Sequence, residues 1–238
     1  MALTAPGPIA HIHSAEKVAG VAERAKIARP GVTIRQHNFG FKPGANEQET
    51  ANLARAKWGP MKNAFNDALN NWAKTTILDT EPDGWVLRRY SKFGTLNPQG
   101  DLRDLYTVVN ADWRGMLKMS YRAQVETLKH NLITIHTEKD EYKDIVEGTP
   151  PKKKSVRTGR VRMEGNKEVK YWADVILYCW RDITDMQFWV RIEKGWFRGE
   201  VEGIELCDAT LQDMGYSGLT IPALLAFITN TPEAEWAK

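Results

Sequence analysis

Lys74-Thr75-Thr76-Ile77-Leu78-Asp79-Thr80-Glu81-Pro82-Asp83-Gly84-Trp85 is the stretch on which the fold turns. Thr75 to Leu78 run without a charge and stop abruptly at Asp79, Thr80 and Glu81. A short β-compatible run of this kind fits a strand buried on both faces of a parallel sheet. Carboxylates at its carboxyl end stand where open α/β sheets bind ligands. The same residues also read as a helix start, with Thr80 and Asp83 as a capping box and Glu81 and Pro82 as the first helical positions. The two readings are compatible, so the flanking sequence has to weigh them.

Upstream, Glu47 to Lys74 has helical patterning. Leu53 leads into Trp58, and Met61, Phe65, Leu69 and Trp72 follow at steps of four, four and three residues, a core-facing seam. Gly59-Pro60 is expected to break or kink this helix. Earlier still, Pro6-Gly7-Pro8 signals a turn into a short strand, Ile9 to His13. Ala15 to Ala28 reads as a helix with Val18, Val21 and Ala25 on one face, Val32 to His37 as a second strand, and Phe41 to Asn46 as a loop. Downstream, a helix carries Trp85, Leu87 and Arg88-Arg89, and Phe93 to Gly100 is a loop. Leu102 to His130 is a long helical region with Gly115 as a candidate break and Leu117, Tyr121, Val125 and Leu128 facing inward. Asn131 to Ile135 is another apolar strand, ending in His136-Thr137-Glu138-Lys139. Strand and helix alternating in this way predict an α/β fold with a mostly parallel central sheet flanked by helices. Asp79 and His136 would then share one rim. A histidine there is either ordinary hydrogen-bonded structure or a sensing or catalytic group.

A chain of 238 residues suits one large domain, expected as an α/β core over 1–146, a basic loop over 147–170, and C-terminal strands and a helix over 171–238. No apolar run approaches the roughly eighteen residues of a membrane span, and no charged-then-apolar leader precedes a cleavage site. Two cysteines, Cys179 and Cys207, make neither a disulfide framework nor a metal knuckle, so a reducing cytosol is expected. The net charge of +3 is too slight to diagnose a nucleic-acid binder, but its distribution is uneven. Lys152, Lys153, Lys154, Arg157, Arg160, Arg162, Lys167 and Lys170 crowd one stretch against only Glu164 and Glu168. Gly148-Thr149-Pro150-Pro151 introduces it, and Gly159 and Gly165 lie within it. A flexible basic loop or ribbon of this kind suits phosphate neutralisation without base reading, and a solvated surface loop is the plain alternative. Tyr171 and Trp172, just after it, are placed either to stack on bases or to begin the next strand.

The remainder is strand-rich. Ala173 to Cys179 and Phe188 to Ile192 flank a turn from Asp182 to Asp185, with Lys194-Gly195-Trp196-Phe197-Arg198-Gly199 after them. This meander reads as antiparallel additions to the sheet edge. Thr220 to Ile228 is a capped apolar helix with Pro222 in its first turn. Asn230 to Lys238 is expected to fray.

In this order the pieces resemble a phage-borne AAA/RecA-like P-loop ATPase, a group that includes RecA-like single-strand annealing and recombination proteins of phages. Ala2-Leu3-Thr4-Ala5-Pro6-Gly7-Pro8-Ile9-Ala10 resembles the segment that follows the phosphate-binding loop. Thr76-Ile77-Leu78-Asp79-Thr80, with Trp85 and Phe93-Gly94, resembles the Walker B strand and the helix after it. Leu132 to Tyr142 resembles the sensor strand and its exit. The resemblance implies a RecA-like core that uses ATP and Mg²⁺. It makes Asp79 the magnesium ligand through the hydration shell, Asp79 and Thr80 nucleotide contacts, Glu81 the group that polarises water, and His136 with Thr137 the γ-phosphate sensor. Lys152, Lys153, Lys154, Arg157, Arg160 and Arg162 would face single-stranded DNA near the centre of a ring or filament. The implied setting is DNA recombination or replication in the cytoplasm of an infected bacterial host, with no membrane partner.

Two departures matter. No Gly-x-x-x-x-Gly-Lys-Ser/Thr occurs in the chain, although in the family that loop would stand just upstream of Ala2. Without it the phosphates lose their N–H cradle and lysine, and the metal loses a hydroxyl ligand. The family also tends to carry an Asp after the first strand, where this chain has His13 and Ser14. Either the whole protein is longer or the site no longer turns over ATP; a beginning on a turn favours the first. By itself this chain is expected to be weak or inactive as an ATPase. The alternatives are a non-catalytic DNA-binding or scaffold protein that keeps the fold, and an unrelated small-molecule site at the same rim.

Overall fold

Thr75–Asp79 is a strand buried along its first four residues, at the centre of a sheet of four. The computed structural model describes residues 1–14, 19–99, 107–118, 130–147, 152–164 and 169–237. The strands are β1 (Ile9–His13), β2 (Ile34–Asn38), β3 (Thr75–Asp79) and β4 (Asn131–Ile135), all parallel, in the order β2-β1-β3-β4. β1 is buried at every position, as a strand covered on both faces must be. Each fully buried Ile or Leu of these strands contributes about 1.5–3 kcal/mol.

Helix α1 (Ala19–Ala28) joins β1 to β2, α2 (Glu47–Asp67) joins β2 to β3, and α3 (Glu81–Phe93) leaves β3. Residues 107–118 are helical and are called α4 here. The chain moves from β1 out to β2, then crosses back to β3 and on to β4. Right-handed crossovers therefore place α1 on one face of the sheet and α2 with α3 on the other. The packing agrees. Ile12 and Leu78 join Ala54, Met61 and Phe65 of α2, Leu87 of α3, and Trp113, Met116 and Leu117 of α4 in one core. Ile9, Ile34 and Ile77 form the second with Ala25 of α1, Ile133, Ile135, Ala2 and Leu3.

The expected break at Gly59-Pro60 does not occur: α2 continues through Pro60 to Asp67 and widens into a π-helical turn over Ala68–Trp72. Met61 and Phe65, both fully buried, hold the helix on the sheet across the missing N–H. Its start is fixed by Asn46, whose Oδ1 accepts from Glu49 N–H at 2.9 Å. The expected inward face of α1 is only partly found. Ala25 packs inward, whereas Val21 is 43% exposed, and Val18 lies outside the described residues, as do Tyr121, Val125 and Leu128.

Of the loop or ribbon expected for the basic stretch, the structure forms the ribbon, so the segment expected as a loop over 147–170 is largely strand. β5 (Glu138–Glu147) and β6 (Lys152–Met163) form an antiparallel ribbon, with Glu147 opposite Lys152. Register shifts between Asp140 and Tyr142, where Thr158, Gly159 and Arg160 face Glu141, and Gly159 takes φ +77° in that bulge. A short helix, α5 (Val169–Trp172), follows.

The C-terminal strands do not extend the parallel sheet. β7 (Val175–Arg181), β8 (Phe188–Gly195) and β9 (Glu205–Cys207) form a separate antiparallel sheet. Its inward positions, among them Val190, Ile192 and Leu206, are buried against Leu211 of α6 (Asp208–Asp213) and against Leu224 and Ile228 of α7 (Ile221–Thr229). A strand set with a helical cover of its own has no need of the larger sheet's edge. As expected, Thr220 caps α7, its hydroxyl accepting from Ala223 N–H at 3.2 Å. The end expected to fray instead forms α8 (Glu233–Trp236), pinned by Trp236 Nε1–H donating to Thr231 Oγ1 at 2.7 Å. Ile221 N–H donates to Thr4 Oγ1 at 2.8 Å, fastening this unit to the N-terminal turn. No helix among the described residues is long and apolar enough to cross a membrane.

Candidate functional site

The strand order steps outward in opposite directions from the β1–β3 pair. That pair is therefore the topological switch point, and its carboxyl end is where a ligand crevice forms in such sheets. Ser14 leaves β1 there and Asp79 ends β3, with Ser14 N–H donating to Asp79 C=O at 2.8 Å. The Asp79–Thr80 peptide is cis. The exit of β2 closes in as well: a Cβ on Gly40 would stand 2.1 Å from Ser14 O, so this approach admits only glycine.

Three acids follow one another on this rim and meet three environments. Asp79 turns toward the α1 face, where its Oδ2 lies 3.4 Å from His11 Nε2. His11 is 3% exposed, and its Nδ1 has no partner among the described residues. A proton on Nδ1 would be buried without an acceptor among the described residues, so Nε2–H is the donor placed toward Asp79. A cavity of about 380 Å³ lies beside this pair, lined by Leu3, Val21, Ala25 and Ile77 among others.

Asp83 is the acid at the open side. Ser14 Oγ and Thr80 Oγ1 both donate to its Oδ2, at 2.6 and 2.8 Å. The expected capping box is thus replaced: Thr80 is the N-cap residue of α3, but its hydroxyl goes to the Asp83 side chain and makes no cap bond to the helix backbone. Acids in the first turn of α3 are favoured by the exposed N–H groups there.

Glu81 has no exposure at all. Its carboxylate accepts from Trp113 Nε1–H of α4, and its Oε2 lies 3.6 Å from His136 Nδ1. The acid expected to polarise water is therefore enclosed beneath the rim, on the face opposite Asp79. His136 does stand beside β3's end, since Ile135 is opposite Asp79 in register, but its ring points to the Glu81 side. Its Nδ1–H donates to Glu164 C=O at 2.9 Å, and its Nε2 is hydrogen-bonded with Thr134 Oγ1 at 3.0 Å. Thr137 Oγ1 donates to Glu164 Oε2 at 2.9 Å, and Lys139 Nζ lies 3.3 Å from the other carboxylate oxygen. The pair expected to sense a phosphate clamps the base of the ribbon.

In the ribbon itself, Arg157 pairs with Asp140, whereas Arg160 and Arg162 pair with no carboxylate among the described residues. Residues 155–162 are all exposed. Lys152, Lys153 and Lys154 belong to β6, and their side chains lie outside what is described. β6 carries six cations and no acid, against five acids and two lysines in β5, so the ribbon keeps a net positive charge.

Ser14, His11 and Trp113 were not singled out as site residues by sequence. The signal for Ser14 was present, because it follows directly on the strand that pairs with β3. Comparison with known protein families, with characterised proteins and with solved structures finds no match.

Proposed function

We propose that this is a RecA-like protein of phage DNA recombination or replication, which binds single-stranded DNA through the β5–β6 ribbon and handles a magnesium nucleotide at the β1–β3 rim. The observation that carries the reading is the joint between the two. His136 and Thr137 leave the rim strand and hold Glu164 at the base of the basic ribbon. A ligand at the rim and a polyanion on the ribbon would therefore act on one rigid connection.

The residues at the rim fit part of a magnesium–nucleotide site. Asp79, Asp83, Ser14 and Thr80 offer hard oxygen donors of the kind that hold a hydrated Mg²⁺ beside phosphates. Among the described residues no group of three or more His, Cys, Asp or Glu side chains is arranged to hold a metal directly. When bound, the ion would supply charge neutralisation to the phosphates. The chain holds no Gly-rich loop with lysine, so it provides no phosphate cradle of its own. His11 fixes the orientation of Asp79, and Glu81 fixes His136 rather than a water molecule. Self-association into a ring or filament belongs to the same reading. A non-catalytic DNA-binding or scaffold protein is the second reading, favoured by the burial of Glu81.

The test is binding of labelled single-stranded DNA with and without ATP and Mg²⁺, with hydrolysis followed in parallel. The expected result is binding that ATP and Mg²⁺ strengthen through the joint, a gain lost in Asp79→Ala, with no hydrolysis above background. Binding indifferent to nucleotide would overturn the link between rim and ribbon and favour the second reading. No binding in either condition would overturn the DNA half.

A further inference from the structure

Two large rings stand in solvent. Tyr171 of α5 is 70% exposed, and Trp196, in the turn that leaves β8, is 72% exposed. Rings of this size ordinarily bury most of their surface. The segments that carry them are bound to each other. Trp196 N–H donates to Asp174 C=O at 2.9 Å, and Lys194 Nζ donates to the carbonyls of Ala173 and Lys170 at 2.5 and 3.3 Å. Each ring has an ammonium over it: Lys170 Nζ lies 5.0 Å from the Tyr171 centroid and Lys194 Nζ 5.3 Å from that of Trp196. Neither lysine makes an ion pair among the described residues, and the carboxylate at the edge of the patch, Glu202, accepts from Gly195 N–H at 3.1 Å.

A second aromatic group on the same sheet shows the difference. Tyr178, Trp180 and Trp189 pack on one another across β7 and β8, with centroids 5.6 and 6.3 Å apart. Tyr178 is hydrogen-bonded to Glu138, and Arg191, which lies over it, is paired with Glu193 and Glu205. Those rings are satisfied by each other, and their cation is neutralised. Tyr171 and Trp196 instead stand in solvent, each beside a lysine that makes no ion pair among the described residues.

We infer that Tyr171 and Trp196 form a stacking platform for unpaired bases, with Lys170 and Lys194 on the adjoining phosphates, so that the preferred nucleic acid is a single strand rather than a duplex. Bases in a duplex are already stacked, whereas an unpaired base offers its π face to any ring, whatever its sequence. The inference rests on the single-stranded-DNA reading of the ribbon and adds the groups that would select a single strand, which phosphate contacts alone do not.

The experiment compares anisotropy isotherms of fluorescein-labelled oligo(dT) and of a labelled hairpin duplex. The proteins are wild type, Tyr171→Ala/Trp196→Ala, Trp196→Phe, and Arg157→Ala/Arg160→Ala/Arg162→Ala, each checked for an unchanged urea midpoint. Losing one base stack corresponds to about 5- to 150-fold in affinity. The double ring variant is expected to lose on the order of tenfold or more on oligo(dT) and less than about twofold on the duplex, with Trp196→Phe close to wild type. Unchanged oligo(dT) binding in the double ring variant, or equal loss on both nucleic acids, overturns the platform; the arginine variant then shows separately whether the ribbon binds. A wild type that binds neither overturns both readings. If that protein also forms a dimer that the ring variant dissolves, the patch belongs to a second copy of the chain.

Discussion

Asp79, Glu81 and Asp83 are three carboxylates within five residues, and the fold gives them three roles. Asp79 is oriented by a buried histidine, Asp83 gathers two hydroxyls at the surface, and Glu81 is sealed against Trp113 and His136. Removing the sealed acid leaves the Trp113 N–H without its buried acceptor. Glu81→Ala is therefore expected to lower stability by about 2–4 kcal/mol, and Glu81→Gln by less because its amide oxygen still accepts. Asp83→Asn keeps an acceptor in a wet setting and is expected to change stability by under about 1 kcal/mol. Urea unfolding of the three variants checks the order, and a Glu81→Ala loss no larger than that of Asp83→Asn would contradict the assignment. Asp79's position was legible in the sequence, because an apolar run that stops at a carboxylate marks a strand end. Which neighbouring acid reaches the rim was not, since Trp113 lies 32 residues beyond Glu81. Burial also sets a pH dependence. His130 is pushed below its ordinary value by burial, against a bond from Nδ1–H to Ala73 C=O, and His37 by burial and then by Lys57 and His13. As pH falls through about 6.5, the unfolded chain takes up protons that these folded histidines do not, so stability falls over that window. His130→Asn, which keeps a donor toward Ala73, is expected to flatten the slope between pH 7 and the acid side; an unaltered slope would show that His130 does not contribute.

At the scale of elements, the parallel sheet was legible because each strand is a short apolar run between amphipathic helices. The run through Pro60 was not, because the packing of Met61 and Phe65 outweighs a local break signal. The C-terminal strands were also found, but period-two alternation says only that one face is covered, and not which sheet a strand joins. The ribbon was read from charge, which fixes composition rather than conformation; pairing with β5 made it a strand. The stop of α3 rests on one glycine. Gly94 has φ +73°, and a Cβ there would lie 2.0 Å from Glu47 O at the start of α2. Gly94→Ala is expected to cost about 2 kcal/mol or more, combining the left-handed penalty with a backbone clash. A thermal midpoint within about 2 °C of wild type would contradict this close α2–α3 approach.

For the whole molecule, a net charge of +3 conceals a division of labour. Acids collect at the rim and cations on one strand of the ribbon, and His136, Thr137 and Glu164 join the two. The rim's location was legible from strand ends; the joint was not, because it needs Glu164, past the end of β6, to return beside His136 and Thr137 at the exit of β4, and no local pattern states that. The most direct test is the affinity for labelled single-stranded DNA between about 50 and 200 mM salt, for wild type and for Arg157→Ala/Arg160→Ala/Arg162→Ala. Each lost phosphate contact lowers the slope of log K against log salt by about 0.7 for a single strand. Wild type is expected to show steep salt dependence, and the variant weaker binding with a slope reduced by about 1.4 to 2, since Arg157 is partly held by Asp140. Equal slopes and affinities for the two proteins would contradict the ribbon as the DNA surface.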